Sequence, residues 1–212
     1  MKTGYEAVNP ANILMNTSPF DQDMLDHVRQ IEGVRQAEGV YSLTLRVKST
    51  TGDWKPIDIL AIPDIQTKQI NTLRLEQGQW PPADKEIVIE SYKLNDLPVG
   101  IGREIEVELP SGKIRQIKVV GSVNDQTLGA AGSGGFFLAP IQGYVTYNTL
   151  NWLEYPTAMN LLYITVDGNA NDTSHIREIS NQVGQAIEDS GRTVYSTSIR
   201  ALNDHPNRIY VE

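Results

Sequence analysis

The chain has 212 residues, of which 40% are hydrophobic and 21% charged, and it contains no cysteine. This is an ordinary globular composition, long enough for one domain or two small ones. The absence of cysteine excludes a disulfide framework, a thiolate zinc site and a cysteine nucleophile. The formal net charge of −8 argues against a nucleic-acid partner, because such binding depends on lysine and arginine side chains that neutralise phosphates.

The sequence contains no stretch that predicts a membrane span. The longest apolar runs, Phe136–Ile141 and Leu161–Val166, are much shorter than the roughly 20 residues that a transmembrane helix needs. The residues from Met1 to Gly4 lack the pattern of a signal peptide. We therefore expect this segment to be soluble as it stands.

The first element is a predicted strand–helix–strand unit. A short apolar segment from Asn12 to Met15 is followed by Ser18 and Pro19, and after them apolar residues recur at helical spacing: Met24, Leu25, Val28 and Ile31. Serine caps helices, and proline is tolerated in the first turn, whose N–H groups lack intrahelical partners. Gly33 then ends the unit's helical part, and Val40–Val47 has the pattern of a strand.

The middle of the chain consists of short strands and turns. Glu86–Ile89 reads as a strand, and the helix-like segment Ser91–Leu97 follows it. Ile105, Val107 and Leu109 then alternate with three glutamates, Pro110 to Gly112 form a turn, and a second alternating run begins at Ile114. Alternation with period two across a tight turn predicts a half-buried β-hairpin.

A glycine-rich segment lies between the hairpin and the last part of the chain. Ordering it gains few side-chain contacts, so we expect its glycine tip to be mobile in the free domain, anchored by the aromatic residues that follow and ordered by a partner. It lacks the lysine and the helix cap of a phosphate-binding loop. The residues of this candidate contact loop are Thr127, Leu128, Gly129, Gly132, Gly134, Gly135, Phe136 and Phe137.

The last part repeats the strand–helix–strand order of the first. A strand at Leu161–Val166 precedes Asp172 and Thr173, which are cap-forming residues, and a helical face made of Ile176, Ile179, Val183, Ala186 and Ile187. Gly191 and a strand at Thr193–Ile199 complete the unit. We therefore predict an α+β chain in which residues 10–64 and 156–200 form one discontinuous domain of two β-α-β units. Residues 65–155 form an inserted β-rich subdomain, and residues 201–212 form a tail.

The order of the central motifs resembles a known family. Gly78-Gln79-Trp80, the strand Glu86–Ile89, the short helix and the hairpin from Leu97 to Val123 occur in the order found in MacB/FtsX-type ABC transporter permeases, in their extracytoplasmic core domain. The resemblance implies that the discontinuous domain is porter-like and the insertion Sabre-like. One departure is Arg103, which follows Gly102 where the family commonly has an acidic residue.

The resemblance also implies a function. It predicts a non-catalytic domain, in the periplasm or outside the cell, that couples cytoplasmic ATP hydrolysis to export or to work on an extracytoplasmic partner. The implied partners are an ABC ATPase subunit, reached through membrane helices, a periplasmic adaptor protein and a second copy of the permease. The resemblance implies no cofactor and no metal.

The residues themselves offer little chemistry. His27, His175 and His205 do not have the spacing of metal ligands, and there is no Gly-x-Ser-x-Gly elbow. The clusters Asp21/Asp23 and Glu104/Glu106/Glu108 read as solvated faces. Two alternatives remain: a regulatory domain that binds a small molecule between the paired β-α-β units, and a small hydrolase on a ferredoxin-like scaffold.

Overall fold

The structure is a computed structural model that describes residues 4–128 and 140–203. Its elements in chain order are α1 Gly4–Ala7, β1 Ile13–Phe20, α2 Gln22–Arg29, β2 Val34–Lys48, β3 Trp54–Ile62, β4 Arg74–Gly78, β5 Glu86–Glu90, a 3₁₀ helix Ser91–Asp96, β6 Glu104–Glu108, β7 Ile114–Asn124, β8 Ile141–Thr146, α3 Tyr147–Trp152, β9 Met159–Val166, α4 Thr173–Asp189 and β10 Val194–Ile199.

The two predicted β-α-β units form one sheet, which we call the outer sheet. Its strand order is β10-β1-β9-β2, with antiparallel pairs such as Ile13↔Ile164 and Ala37↔Ile164. This is the order of the ferredoxin-like split β-α-β fold. The helices α2 and α4 pack on the same face of the sheet, where they bury Met24, Leu25, Val28, Ile176, Ile179, Val183 and Ile187. Most residues of the predicted helical faces are buried here, but Ile31 lies beyond the end of α2 and is only partly buried against the same core. The strands of the two units are neighbours through the pairing of β1 and β2 with β9.

Part of β2 and the strands β3, β8, β5, β7 and β6 form a closed ring, and β4 pairs with β7 outside it. Among the described strands, β2 pairs with β3, β3 with β8, β8 with β5, β5 with β7, β7 with β6 and β6 again with β2. Two of these contacts, β3 with β8 and β5 with β7, are parallel. The ring is therefore a small mixed β-barrel, and its interior is filled by apolar side chains that include Val47, Ile59, Ile89, Val107 and Val145.

The strand β2 belongs to both sheets. Val34 to Val40 pair with β9 in the outer sheet, whereas Tyr41 to Lys48 pair with β3 in the barrel. The chain therefore passes from one sheet to the other between Val40 and Tyr41, and β3 is a barrel strand. The predicted domain boundary at residue 64 groups β3 and the second half of β2 with the outer sheet, although both lie in the barrel. Strand propensity alone does not reveal which strands pair with each other. The division into two subdomains stays a prediction.

The start of α2 differs from the expectation. Ser18 and Pro19 lie in β1, and Asp21 is the cap, because its Oδ1 accepts a hydrogen bond from the Met24 N–H at 3.1 Å. Pro19 stands where the register between β1 and β9 shifts, so its missing N–H interrupts no regular ladder. The start of α4 agrees with the expectation, since Asp172 accepts hydrogen bonds from the N–H groups of Ser174 and His175.

The predicted hairpin is confirmed as β6 and β7, with the register Glu104↔Lys118 to Glu108↔Ile114. Two of the three glutamates on its outer face meet basic groups. Lys48 Nζ lies 2.9 Å from a Glu106 oxygen, and Arg46 forms an ion pair with Glu108. These pairs are partly exposed and contribute little to stability, but they relieve the repulsion among the glutamates.

The first and last strands of the described chain are neighbours in the outer sheet. β1 and β10 are antiparallel neighbours with the pair Ile13↔Ile199, and Arg200 N donates to the Asn12 carbonyl at 2.8 Å. The longest helix among the described residues, Thr173–Asp189, has 17 residues. In the part of the chain that the structure describes, no helix has the length and apolarity to cross a membrane.

The change of partner within β2 predicts where the chain can be divided. Val40 and Leu161 are paired neighbours, so a short Gly/Ser turn in place of residues 41–160 joins the outer sheet without distortion. We expect this deletion variant to unfold cooperatively in urea, monitored by circular dichroism.

The matched control replaces residues 66–155 instead. It keeps β3 but removes the strands that close the barrel on it, leaving Ile57 and Ile59 without their neighbours. We expect this control to be insoluble or non-cooperative. A cooperative control together with an unfolded first variant would contradict the assignment of β3 to the barrel.

Candidate functional site

The structure describes only the base of the predicted contact loop. Thr127 and Leu128 are described, whereas Gly129, Gly132, Gly134, Gly135, Phe136 and Phe137 lie outside the described residues. At the base, Asp125 follows β7 and folds the chain back with its side chain. Its Oδ1 accepts hydrogen bonds from the N–H and the hydroxyl of Thr127, at 2.9 and 2.6 Å. A turn of this kind holds the loop base in place.

Asp125 is also tied to the interior. Its Oδ2 accepts a hydrogen bond from the Tyr144 hydroxyl at 2.7 Å, and both residues are buried. Burial and the adjacent Asp125 carboxylate raise the pKa of Tyr144 well above its ordinary value. The tyrosine therefore remains a neutral donor, and the carboxylate keeps its acceptor role.

A second, partly buried pair lies nearby. Lys68 Nζ donates to the Ile70 carbonyl at 2.6 Å and lies 3.3 Å from Glu38 Oε2. Glu38 Oε1 accepts from the N–H groups of Gln69 and Ile70, at 2.5 and 3.1 Å. Burial lowers the pKa of Lys68, and the Glu38 carboxylate opposes this by favouring the charged ammonium.

Tyr163 and a small void lie beside both the Tyr144–Asp125 pair and the Lys68–Glu38 pair. Lys68 Nζ lies 5.2 Å from the centre of the Tyr163 ring, within cation–π range. A void of about 10 Å³ is lined by Lys68, Asp125, Tyr144 and Tyr163 among others, which is about the least volume that holds one water molecule. Tyr163 lies on β9 of the outer sheet and Tyr144 on β8 of the barrel, whereas Lys68 and Asp125 lie in the segments that follow β3 and β7. All four line the void beside the apolar core between the sheets.

Glu90 is the third carboxylate of this region. It ends β5, is 4% exposed, and accepts a hydrogen bond from the Tyr92 N–H at 2.8 Å. Burial raises its pKa, the Tyr92 hydrogen bond lowers it, and the negative charge of Asp125 raises it further. We call Glu38, Lys68, Glu90, Asp125, Tyr144 and Tyr163 together the junction cluster.

Sequence reasoning missed the junction cluster. Its members are far apart along the chain, some on strands and others, such as Lys68, in segments between strands, without a recognisable spacing. One signal was available: Glu90 directly follows Ile87, Val88 and Ile89, and a charged residue at the end of a fully apolar strand often has a specific role.

The described residues hold no arrangement typical of an active site. His27 and His175 lie in α2 and α4, and His175 Nε2 is 2.8 Å from the Asp167 carbonyl oxygen. His205 lies outside the described residues. Within residues 4–128 and 140–203, no three histidine, aspartate or glutamate side chains are grouped as a metal site. The acidic residue Asp21 caps α2 and pairs with Arg192 at 3.0 Å.

The Tyr144–Asp125 hydrogen bond can be tested by substitution. Tyr144→Phe leaves a buried carboxylate oxygen without its donor, so we expect a loss of about 1–3 kcal/mol in the free energy of unfolding in urea. Tyr195→Phe is the matched control, because Tyr195 is 68% exposed and its change should be neutral. Equal stability of the two variants would contradict a role for the bond.

Glu90 gives a prediction with a defined pH dependence. Its raised pKa means that the folded state binds the proton more tightly than the unfolded state, so stability falls as pH rises from the unfolded value through the folded one. Glu90→Gln should therefore be more stable than the parent at pH 7. The two should converge below the ordinary pKa of 4.5, where both states are protonated.

Urea unfolding at pH 7 and near pH 4 measures this difference. Glu76→Gln on the exposed strand β4 is the control, and it should match the parent at both pH values. A Glu90→Gln variant that is less stable than the parent at pH 7 would show that the ionised carboxylate stabilises the fold.

Comparisons with known proteins place the fold. Neither protein-family models nor curated proteins give a match to the sequence. Among solved structures, the extracellular domain of the noncanonic ABC-type transporter YknZ from Gram-positive bacteria has a TM-score of 0.55 at 10% identity, covering 88% of this chain and 100% of that chain. The periplasmic region of MacB from Actinobacillus actinomycetemcomitans has a TM-score of 0.51 at 11% identity, covering 88% and 87%. The chain has the mixed α+β fold of these extracytoplasmic transporter domains, as the resemblance predicted.

Proposed function

We propose that the chain is a non-catalytic extracytoplasmic domain of an ABC transporter permease. In this proposal ATP is hydrolysed on a separate cytoplasmic subunit or domain. The outer domain passes the resulting conformational change to a transported substrate or to a partner beyond the membrane. The shared fold with the YknZ and MacB domains supports this assignment.

The observation that carries the proposal is that the first and last strands, β1 and β10, are neighbours within this fold. Asn12 is 2% exposed and connects both ends with β9. Its carbonyl accepts from Arg200 N at 2.8 Å, its Nδ2 donates to the Arg200 carbonyl at 3.2 Å, and its Oδ1 accepts from Val166 N at 3.1 Å. Two membrane-anchored stalks that run side by side need an arrangement of this kind.

The parts of the domain take roles within this proposal. The outer sheet with α2 and α4 is the porter-like part, and the barrel is the Sabre-like part. The tail of residues 201–212 leads toward a stalk. The candidate contact loop remains a proposed partner surface, and its described base is held by the Thr127–Asp125 hydrogen bonds. A periplasmic adaptor and a second permease copy are the proposed partners.

The lack of cysteine allows a direct test in the parent permease. Ser111→Cys places a single thiol of this domain in the exposed hairpin turn, where a spin label can be attached. Double electron–electron resonance on the reconstituted permease and ATPase then measures the distance between two copies. We expect this distance to change between the nucleotide-free and the ATP-trapped state.

Asn203→Cys is the matched control. Asn203 is exposed and is the last residue that the structure describes, on the side of the proposed stalks, so a label there should move less than one in the hairpin turn. Distances that are independent of nucleotide would contradict coupling, and the lack of any dipolar signal would contradict the pair of copies. A panel of esterase, phosphatase, glycosidase and ATPase substrates addresses the hydrolase alternative. Saturable turnover by the isolated domain would overturn the non-catalytic assignment.

A further inference from the structure

One edge of the outer sheet is incomplete. β2 pairs with β9 from Val34 to Val40, but its pairing with β3 begins only at Tyr41↔Ala61. Among the described residues, no strand pairs with the other edge of β2 before Tyr41. A gap one strand wide therefore lies beside the first half of β2.

The sequence explains why β3 does not fill this gap. Pro63 follows the last residue of β3 and has no N–H to donate to a ladder. Asp64 then turns the chain away, because its Oδ1 accepts from the Gln66 N–H at 3.0 Å. The gap is thus a consequence of two residues placed directly after β3.

Backbone groups of β2 face the gap. The Ala37 carbonyl accepts a hydrogen bond from Arg29 Nε at 3.0 Å, so the backbone groups of Ala37 point away from β9. Alternate residues of a strand point the same way, and the N–H and carbonyl of Gly39 therefore face the gap as well. Within the described chain these two N–H groups have no backbone acceptor on that side.

The gap forms the floor of a groove of about 430 Å³, which we call the β2 groove. One wall is α2, with Leu25 and Arg29, and the other is the segment after β3, with Lys68 and Gln69. Ala37 and Gly39 are both buried at the floor. The volume lies within the range of ligand pockets.

The charged side chains that line the groove are the cations Arg29, Arg35 and Lys68 and the carboxylates Glu38 and Asp64. Lys68 is paired with Glu38, and Arg29 with Asp26 at 2.8 Å. Arg35 donates only to neutral oxygens, Thr165 Oγ1 at 3.3 Å and Asn9 Oδ1 at 3.1 Å. Among the described residues no carboxylate lies within ion-pair distance of Arg35, so an exposed positive charge stands at one end of the groove of a protein whose net charge is −8.

We propose that the β2 groove binds a short extended peptide that carries a carboxylate. The peptide adds a strand beside Ala37 and Gly39, its carbonyls accept from their N–H groups, and its carboxylate lies near Arg35. Binding displaces Arg29 from the Ala37 carbonyl, for which its side chain, 44% exposed, has room. This inference does not depend on the transporter function proposed above.

Fluorescence anisotropy with three synthetic nonapeptides tests the proposal on the full chain. In each peptide valine and threonine alternate, and one position carries glutamate, glutamine or lysine. We expect the glutamate peptide to bind about fivefold more tightly than the glutamine peptide, and the lysine peptide to bind most weakly. Arg35→Glu should reverse this order. Arg177→Glu, an exposed arginine on α4 outside the groove, should leave it unchanged.

Ala37→Pro tests the added strand itself. The substitution removes one N–H that faces the groove, while Gln36 and Glu38 still pair with β9. The affinity for all three peptides should therefore fall roughly tenfold. Circular dichroism checks the fold of this variant. If it does not fold, amide shifts in the parent chain decide, and they should concentrate at Ala37 and Gly39.

Three results overturn the proposal. The first is equal affinity for the three peptides, or equal affinity of the Arg35→Glu and Arg177→Glu variants. The second is a shift map centred outside the β2 groove. The third is a concentration-dependent dimer that protects the Ala37 and Gly39 amides without peptide, because a second copy of the chain is then the occupant.

Discussion

The whole fold depends on backbone pairing along one strand, β2, which changes partners between Val40 and Tyr41. Side chains alternate along a strand with period two, so the register of β2 determines which residues enter each core. Ala37 enters the core under the helices, whereas Leu43 and Leu45 enter the barrel. A one-residue slip in β2 reverses both assignments at once. Hydrophobic burial on two independent cores therefore fixes a single register.

The junction cluster sets a second constraint, on how the two sheets meet. Its carboxylates accept hydrogen bonds from both main chain and side chains, such as Tyr144 to Asp125 and Gln69 N–H to Glu38. Buried polar contacts add little net stability compared with apolar packing, but leaving one unmade is expensive. The Glu38 contacts tie the outer sheet to the segment that follows the barrel strand β3, whereas the Tyr144–Asp125 bond lies within the barrel. Since Asp125 also forms the base of the proposed contact loop, the barrel interior and the loop base share one side chain.

Local patterns predicted the local elements. The alternation around Ile105 and Val107 predicted the hairpin, and the spacing from Ile176 to Ile187 predicted α4, because both signals come from neighbouring residues. The prediction that placed Pro19 at a helix start was wrong, because proline suits a helix start and an irregular strand equally. Barrel closure left no such signal, since the pair Ile57↔Ile141 joins parallel strands across a long stretch of sequence. The junction cluster and the β2 groove follow from the same distant pairings, so neither is visible before the topology is known.

The meeting of β1 and β10 has a mechanical consequence. Ile13 and Ile199 are opposite each other at the end of an antiparallel ladder where the chain enters and leaves. A pull that separates the two ends loads the hydrogen bonds of this ladder one pair at a time, which is the weak direction of a sheet. A displacement that carries both ends together loads none of them, and the domain then moves as one body. The domain thus resists little when its two ends are pulled apart and stays intact when they move together.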